Sequence, residues 1–479
     1  MAFNSAEFAL FFAVVFLLYW ALPQAARRIF LLVVSVYFYS SCGIKFVLLL
    51  FALTAFAFGA GLLLEKTKNE ITAKTLLILS ICLLLSPLFI YKYFDFFSNG
   101  LSGLSRLFGI ALQPTTLALV LPLGISFYTF QNLGYVIDVY RGRLQAERNF
   151  IVYCLFSVFF PQISSGPIGR GGELIPQLKA PAAFDYGKAS AGLKLIVWGG
   201  FKKMVIADNL AVYVNRIYGS LHQHSGFPLM IAALFFSIEI YCDFSGYTDL
   251  ARGCAKMLGI ELRENFKSPY FSSGVKEFWS RWHISLSTWF KDYLYIPLGG
   301  NRVGKARHVF NLMVTFLVSG LWHGANRTFL IWGALHGLAQ VLEKYLGKNS
   351  GAAKSKIVKV LKVVFVFAFV TFAWIFFRAD SAEDAIHVIS NMFVGIASPL
   401  TYIKTGWMSV RENLNVSMKL LSLCLVLLAA YDYASLRTDV MRWLSQRKAP
   451  VRYAIYIFVG TLVLLFHYHG EITFIYSQF

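Results

Sequence analysis

The sequence predicts an all-α polytopic membrane protein, and three observations carry that expectation. Hydrophobic residues make up 57% of the 479 residues and charged ones 14%, far from the roughly one quarter charged that is usual in a soluble domain. The mean hydropathy is correspondingly high, at +0.61. Apolar stretches recur along the whole chain, at 8–22, 29–42, 46–64, 76–97, 117–137, 151–163, 189–206, 228–242, 310–322, 329–341, 363–377, 418–430 and 453–467. They amount to about eleven to thirteen segments, several short of the roughly 20 residues a full span needs, so tilted or re-entrant pieces belong among them.

Taken in order, the stretch 8–22 has no basic residue before it and no small-residue cleavage site after it. It reads as a retained helix with an extracytoplasmic amino terminus. Arg27 and Arg28 follow, then Lys66, Lys68 and Lys74, then Arg141, Arg143 and Arg148, with two apolar stretches between successive clusters. That spacing obeys the positive-inside rule, with only single charges such as Lys45 and Arg106 against it. Residues 1–112 are nearly pure apolar hairpins and read as scaffold. Residues 113–345 are dense in polar, aromatic, Gly and Pro residues and are expected to hold the chemistry. Residues 346–479 are C-terminal helices entered through a basic, cytoplasmic loop of Lys344, Lys348, Lys354, Lys356, Lys359 and Lys362. Crossing 363–377 brings about 378–416 to the extracytoplasmic side, where Ser381 and Asp384 have the spacing of a capping box before a short amphipathic helix that suits a docking partner. No internal repeat divides the chain, so 1–479 is read as a single membrane domain.

The formal charge of +20 does not indicate nucleic acid, because the basic residues are dispersed over short loops instead of forming a stripe. The six cysteines contain no C-x-x-C pair and imply neither a disulfide framework nor a zinc site.

Four motifs invite a chemical reading. SGLWHGA (319–325) puts His323 in an otherwise apolar run, and intramembrane ionisable residues are functional candidates by default. A neutral imidazole is suited to take a proton from a hydroxyl near neutral pH, and Gly324 beside it leaves room for a ligand; the competing reading is a helix-packing histidine. His336, thirteen residues on, falls about 220° round an ideal helix and reads as structural unless the segment is broken. KEFWSRWHISLSTWFK (276–291) reads as one amphipathic helix, with Lys276, Ser280, His283 and Ser287 on one side and Phe278, Trp282, Leu286 and Trp289 on another. His283 then either faces a polar cavity or belongs to an interfacial tryptophan anchor. YCDFSGYTD (241–249) sets Asp243 and Asp249 around Ser245 in apolar surroundings, where they pair, with Arg252 for example, or orient a histidine. GGNRVGK (299–305) nearly spells a phosphate loop, but Ala306 stands where Ser or Thr is required, which excludes a nucleotide hydrolase. As a basic glycine-rich loop it either attracts an anionic donor or only obeys the positive-inside rule. The sequence lacks G-x-S-x-G and H-E-x-x-H, and His467-Tyr468-His469 has no further ligands to argue for a metal.

Together, FPQISSGPIGR (160–170), YCDFSGYTDLARGCAKMLGI (241–260), NFKSPY (265–270), EFWSRWHISLSTWFKDYLYIPLGGNR (277–302), SGLWHGA (319–325), FFRA (376–379) and the closing FIYSQF resemble the membrane-bound O-acyltransferase family. The likeness runs over essentially the whole chain and is nearest to its bacterial alginate O-acetyltransferase branch. It implies a ring of helices around a central funnel, with His323 as the catalytic histidine and His283 as its second signature histidine. Substrate contacts are then expected from Trp279, Trp282, Ser287, Trp322, Asp243, Ser245 and Lys291, and donor contacts from Asn301, Arg302 and Lys305. No tightly bound cofactor is implied; acetyl-CoA or another acyl thioester is the donor. The expected partners are the lipid bilayer, a polysaccharide acceptor and a periplasmic SGNH-type acetyltransferase or esterase-like protein, and the expected place is a bacterial inner membrane. The rival readings are a transporter or flippase without chemistry, disfavoured because the polar signals cluster once instead of in repeated halves, and a non-catalytic scaffold.

Overall fold

The computed structural model describes residues 1, 3–164, 166–346, 355–414, 416–468, 470, 472 and 474–477. Lys348 and Lys354 of the basic loop, Ser165, His469, Gln478 and Phe479 lie outside the described residues. Among the described residues there is no strand, and every one of the thirteen apolar stretches meets a helix. Six helices are long and apolar enough to cross a membrane: Ile44–Lys66, Glu70–Leu107, Phe227–Met257, Lys356–Arg378, Met418–Ser435 and Ala449–Phe466. Ala6–Ala21 is apolar but shorter. Two stretches are less regular than their hydropathy: 117–123 is not helical, and the run 151–163 breaks at Phe159 between Phe150–Val158 and Phe160–Ile163.

Caps stand where short polar residues precede apolar runs. Ser5, Asn69 and Asn149 accept from the backbone N–H three residues on, at 3.1, 3.0 and 3.2 Å. Each satisfies one of the amides a helix start leaves open. The Ser381 hydroxyl accepts from Asp384 N at 3.0 Å and starts the helix Ala382–Asn391, as the sequence indicates.

The described residues form two compact units, Met1–Leu193 with Ala251–Arg263, and Lys194–Leu250 with Glu264–Phe479. In the first, neutral side chains bind helices to one another: Tyr153 donates to Asn132 at 2.8 Å, Asn132 donates to Ser157 at 3.3 Å, and Thr54 and Ser157 share a hydrogen bond at 2.9 Å. Arg27 closes the start of this unit by donating to Ala182 O at 2.6 Å while lying 4.8 Å over Trp20.

The second unit holds the charged interior. A π-helical turn, Phe201–Ala207, carries Lys202 and Lys203 to the long helix Phe227–Met257. Its approach depends on two glycines. A Cβ on Gly199 would lie 2.7 Å from Gly246 O, and one on Gly246 would lie 2.9 Å from Lys203 N. Lys202 pairs with Asp249 at 2.7 Å, and Lys203 with Asp208 at 2.7 Å and Asp243 at 2.5 Å. Lys305–His323 and Arg327–Leu346 make a similarly close hairpin. A Cβ on Gly320 would fall 2.2 Å from Phe329 O, and one on Gly333 would fall 2.4 Å from Phe316 O.

Candidate active site

The expected single helix over 276–291 is two. Val275–Arg281 ends at Trp282, which is extended, and His283 takes a left-handed backbone (φ 44°, ψ 53°) before Ile284–Phe290 and the π-turn Lys291–Tyr295. The cause lies outside the motif. Asn265 receives the first amides of the second helix, its carbonyl accepting from Ile284 N and its side-chain oxygen from Ser285 N, both at 3.0 Å. The backbone reversal buries Trp282 and His283 together, whereas an unbroken helix would have set them on different sides.

His323 is the last residue of its helix, and Gly324 breaks the chain before Arg327–Leu346 begins. The expected ligand space beside Gly324 is not there. A Cβ would fall 2.1 Å from the Phe329 ring, so the glycine admits that phenylalanine. The two imidazoles lie with ring centroids 6.5 Å apart, both buried, at 3% exposure for His323 and 0% for His283. Burial drives His283 down to about 3, which keeps its ring neutral. Trp322 stands 5.9 Å from His283 and 4.9 Å from His323. Phe244 closes on His283 at 4.6 Å, and Phe377 and Trp332 close on His323 at 5.3 and 5.1 Å. The break at Gly324 also brings His336 near: its Nδ1 accepts from Trp279 Nε1 at 3.2 Å, and its ring lies 4.9 Å from Trp332. With Nδ1 accepting, the His336 proton sits on Nε2.

A residue the motif reading did not select completes the cage. Tyr476, in the short 3-10 turn Ile475–Ser477, sits 5.5 Å from His323, 6.0 Å from His283 and 4.2 Å from Phe244 by ring centroids. Burial raises its phenol, so it does not ionise unaided. Nothing local to 276–325 points to a residue so far down the chain; the closing hexapeptide was its only trace. Lys202 and Lys203 were equally visible, as charges inside the stretch 189–206.

Beside this cage lies a cleft of about 920 Å³. Of the predicted residues, Trp279, Ser287, Lys291, Asn301 and Arg302 line it. Lys276 adds a third cation to those of Lys291 and Arg302, and no carboxylate is found among the described lining residues. Lys305, Trp282, Trp322, Ser245 and both histidines are not part of the lining. Ser319 is, one helical turn before His323. Asp243 meets Lys203 and accepts from Ile475 N at 2.9 Å, which ties it to the C-terminal turn that carries Tyr476.

Residues 146–380 match the family model described as MBOAT, membrane-bound O-acyltransferase family. The chain is 38% identical over 396 residues to "Probable alginate O-acetylase AlgI" of Pseudomonas aeruginosa, covering 82% of this chain and 75% of that one. It is 34% identical over 413 residues to the peptidoglycan O-acetyltransferase of Helicobacter pylori, covering 80% and 77%. It is 29% identical over 279 residues to the teichoic acid D-alanyltransferase of Bacillus subtilis, covering 53% and 68%. With helices and no strand among its described residues, and two buried histidines brought together beside a basic cleft, this multi-pass membrane protein is an acyltransferase that belongs to the membrane-bound O-acyltransferase family.

Proposed function

We propose that the protein takes an acetyl group from a cytoplasmic thioester and delivers it across the membrane for O-acetylation of an extracytoplasmic polysaccharide, an alginate-like exopolysaccharide or peptidoglycan. The observation that carries this reading is the cage in which His323, His283 and Tyr476 meet, one helical turn from a cleft with three cations. A cleft of this volume is in the range of small-molecule sites, and Lys276, Lys291 and Arg302 suit the phosphates of acetyl-CoA held without tight retention. The positive-inside rule favours a cytoplasmic cleft, an extracytoplasmic amino terminus and an inner-membrane location. The segment 378–416 would then face the periplasm and receive an SGNH-type partner.

In the reaction, His323 takes the proton of an incoming hydroxyl as its oxygen bonds to the thioester carbonyl carbon. The tetrahedral adduct collapses, the C–S bond breaks, and the imidazolium returns the proton to the leaving thiolate. Ester and thiol result, and the imidazole is restored. General base catalysis of this kind contributes about 10²- to 10⁴-fold.

The ring of Tyr476, set against both imidazoles, favours a relay as a second reading. Its phenol would be the first hydroxyl acylated, with the acetyl group passing on to the glycan in a second exchange. Purified protein in orientation-sorted vesicles, with labelled acetyl-CoA outside and acceptor inside, tests both. Label must reach the lumenal acceptor with wild type and not with His323→Ala; equal crossing in both supports a transporter. An acetyl adduct on the Tyr476 peptide after donor alone marks the relay, and its absence marks direct transfer.

A further inference from the structure

We infer that Asp243 is a positioning residue for the acyltransfer proposed above: its carboxylate, held by Lys203, anchors the C-terminal turn that seats Tyr476 against His283 and His323. One oxygen, Oδ1, meets Lys203 Nζ at 2.5 Å, and the other, Oδ2, accepts the Ile475 amide at 2.9 Å. The two oxygens therefore have different work. The lysine side fixes the rotamer of the carboxylate, with Asp208 holding the same ammonium at 2.7 Å. The amide side is spent on a backbone group one residue before the tyrosine.

Adjacent contacts agree on what is being held. Phe474 stacks on Tyr247 at 4.4 Å and Tyr476 lies on Phe244 at 4.2 Å, and both partners follow Asp243 within about one turn of the helix Phe227–Met257. Upstream, Phe466 O accepts from Asn209 Nδ2 at 3.1 Å and Tyr468 N donates to Met204 O at 3.3 Å. Phe466, Tyr468 and Phe474–Tyr476 are thus laid along the surface that carries the ion pairs. A 3-10 turn this short has almost no internal hydrogen bonding to fix it, so an outside acceptor decides where its side chains point. Asp243 does not line the cleft, which separates its role from donor binding.

The test pairs two variants that cut the same hydrogen bond from opposite sides. Asp243→Ala removes the acceptor. Ile475→Pro removes the donor at a first-turn position that tolerates proline, and leaves the lysine pairs intact should the first variant fail to fold. Hydrogen exchange over 466–477 in vesicles reads the anchor directly, without any assumption about the reaction. Protection of this segment is expected to fall in both variants and to persist in His323→Ala. Acetyltransfer should fall about 10- to 100-fold in kcat, the scale of a small misplacement at a reacting centre, with KM for acetyl-CoA within about twofold. Combined with Tyr476→Ala, which removes the ring that the anchor seats, either variant should add little further loss. Unchanged protection, a change confined to KM, or losses that multiply with those of Tyr476→Ala overturn the assignment. An active His323→Ala protein would instead overturn the proposed chemistry and leave the exchange result to judge the anchor.

Discussion

The two units handle buried polarity in different ways. In the first, Thr54, Asn132, Tyr153 and Ser157 form a neutral chain of hydrogen bonds. In the second, Lys202, Lys203, Asp208, Asp243 and Asp249 are paired charges. Neutral bonds between apolar helices are worth little individually, because the same groups find partners before the helices meet. Ion pairs carry a desolvation cost that hydrophobic packing would avoid. The costly device stands in the unit that holds the histidines, and the inexpensive one in the unit that contains the scaffold residues 1–112.

Four measurements break or sharpen that contrast. His323→Ala should reduce acetyltransfer by about 10²- to 10⁴-fold with unaltered membrane yield; full activity would remove the chemical reason for a charged interior. Lys203→Met strands two carboxylates, and loss of one partner of a buried pair typically costs about 3–5 kcal/mol. Thermal unfolding in detergent should show that loss, and a melting point like wild type would mean the network is not carrying stability. His283 adds a pH dependence. Its folded value of about 3 lies below the usual histidine value of about 6.5, so its contribution is full above about 6.5 and fades as pH falls toward 3. Melting points for wild type should drop across that window more than for His283→Gln. The smallest effect belongs to the neutral chain. Tyr153→Phe removes one hydrogen bond and should cost about 0.6 kcal/mol, with acetyltransfer unchanged; a loss as large as that of Lys203→Met would erase the distinction.

Much of this was legible in the sequence, for reasons that are local. Hydropathy located each apolar helix, the capping-box spacing marked the helix start at Ser381, and the two histidine motifs supplied the pair that the structure brings within 6.5 Å. What was hidden depends on distant partners. The break at Trp282–His283 needs Asn265, and the bulk beside Gly324 belongs to Phe329 across a hairpin. Asp243 and Asp249 were recognised as acids in need of partners, but Lys202 and Lys203 reach them only because Gly199 and Gly246 let two helices touch. Tyr476 could be placed by nothing short of the folded chain.

Those lysines also bear on how the protein is made. Insertion of a lysine at the centre of an apolar helix costs about 2.5–3.5 kcal/mol, and Lys202 and Lys203 are adjacent. The carboxylate that pairs with Lys202 is synthesised 47 residues later. On the hydropathy reading that places 189–206 in the membrane, the segment would enter lipid at a disadvantage until Phe227–Met257 has followed it. The two helices are best regarded as one unit of biogenesis, released from the insertion machinery together.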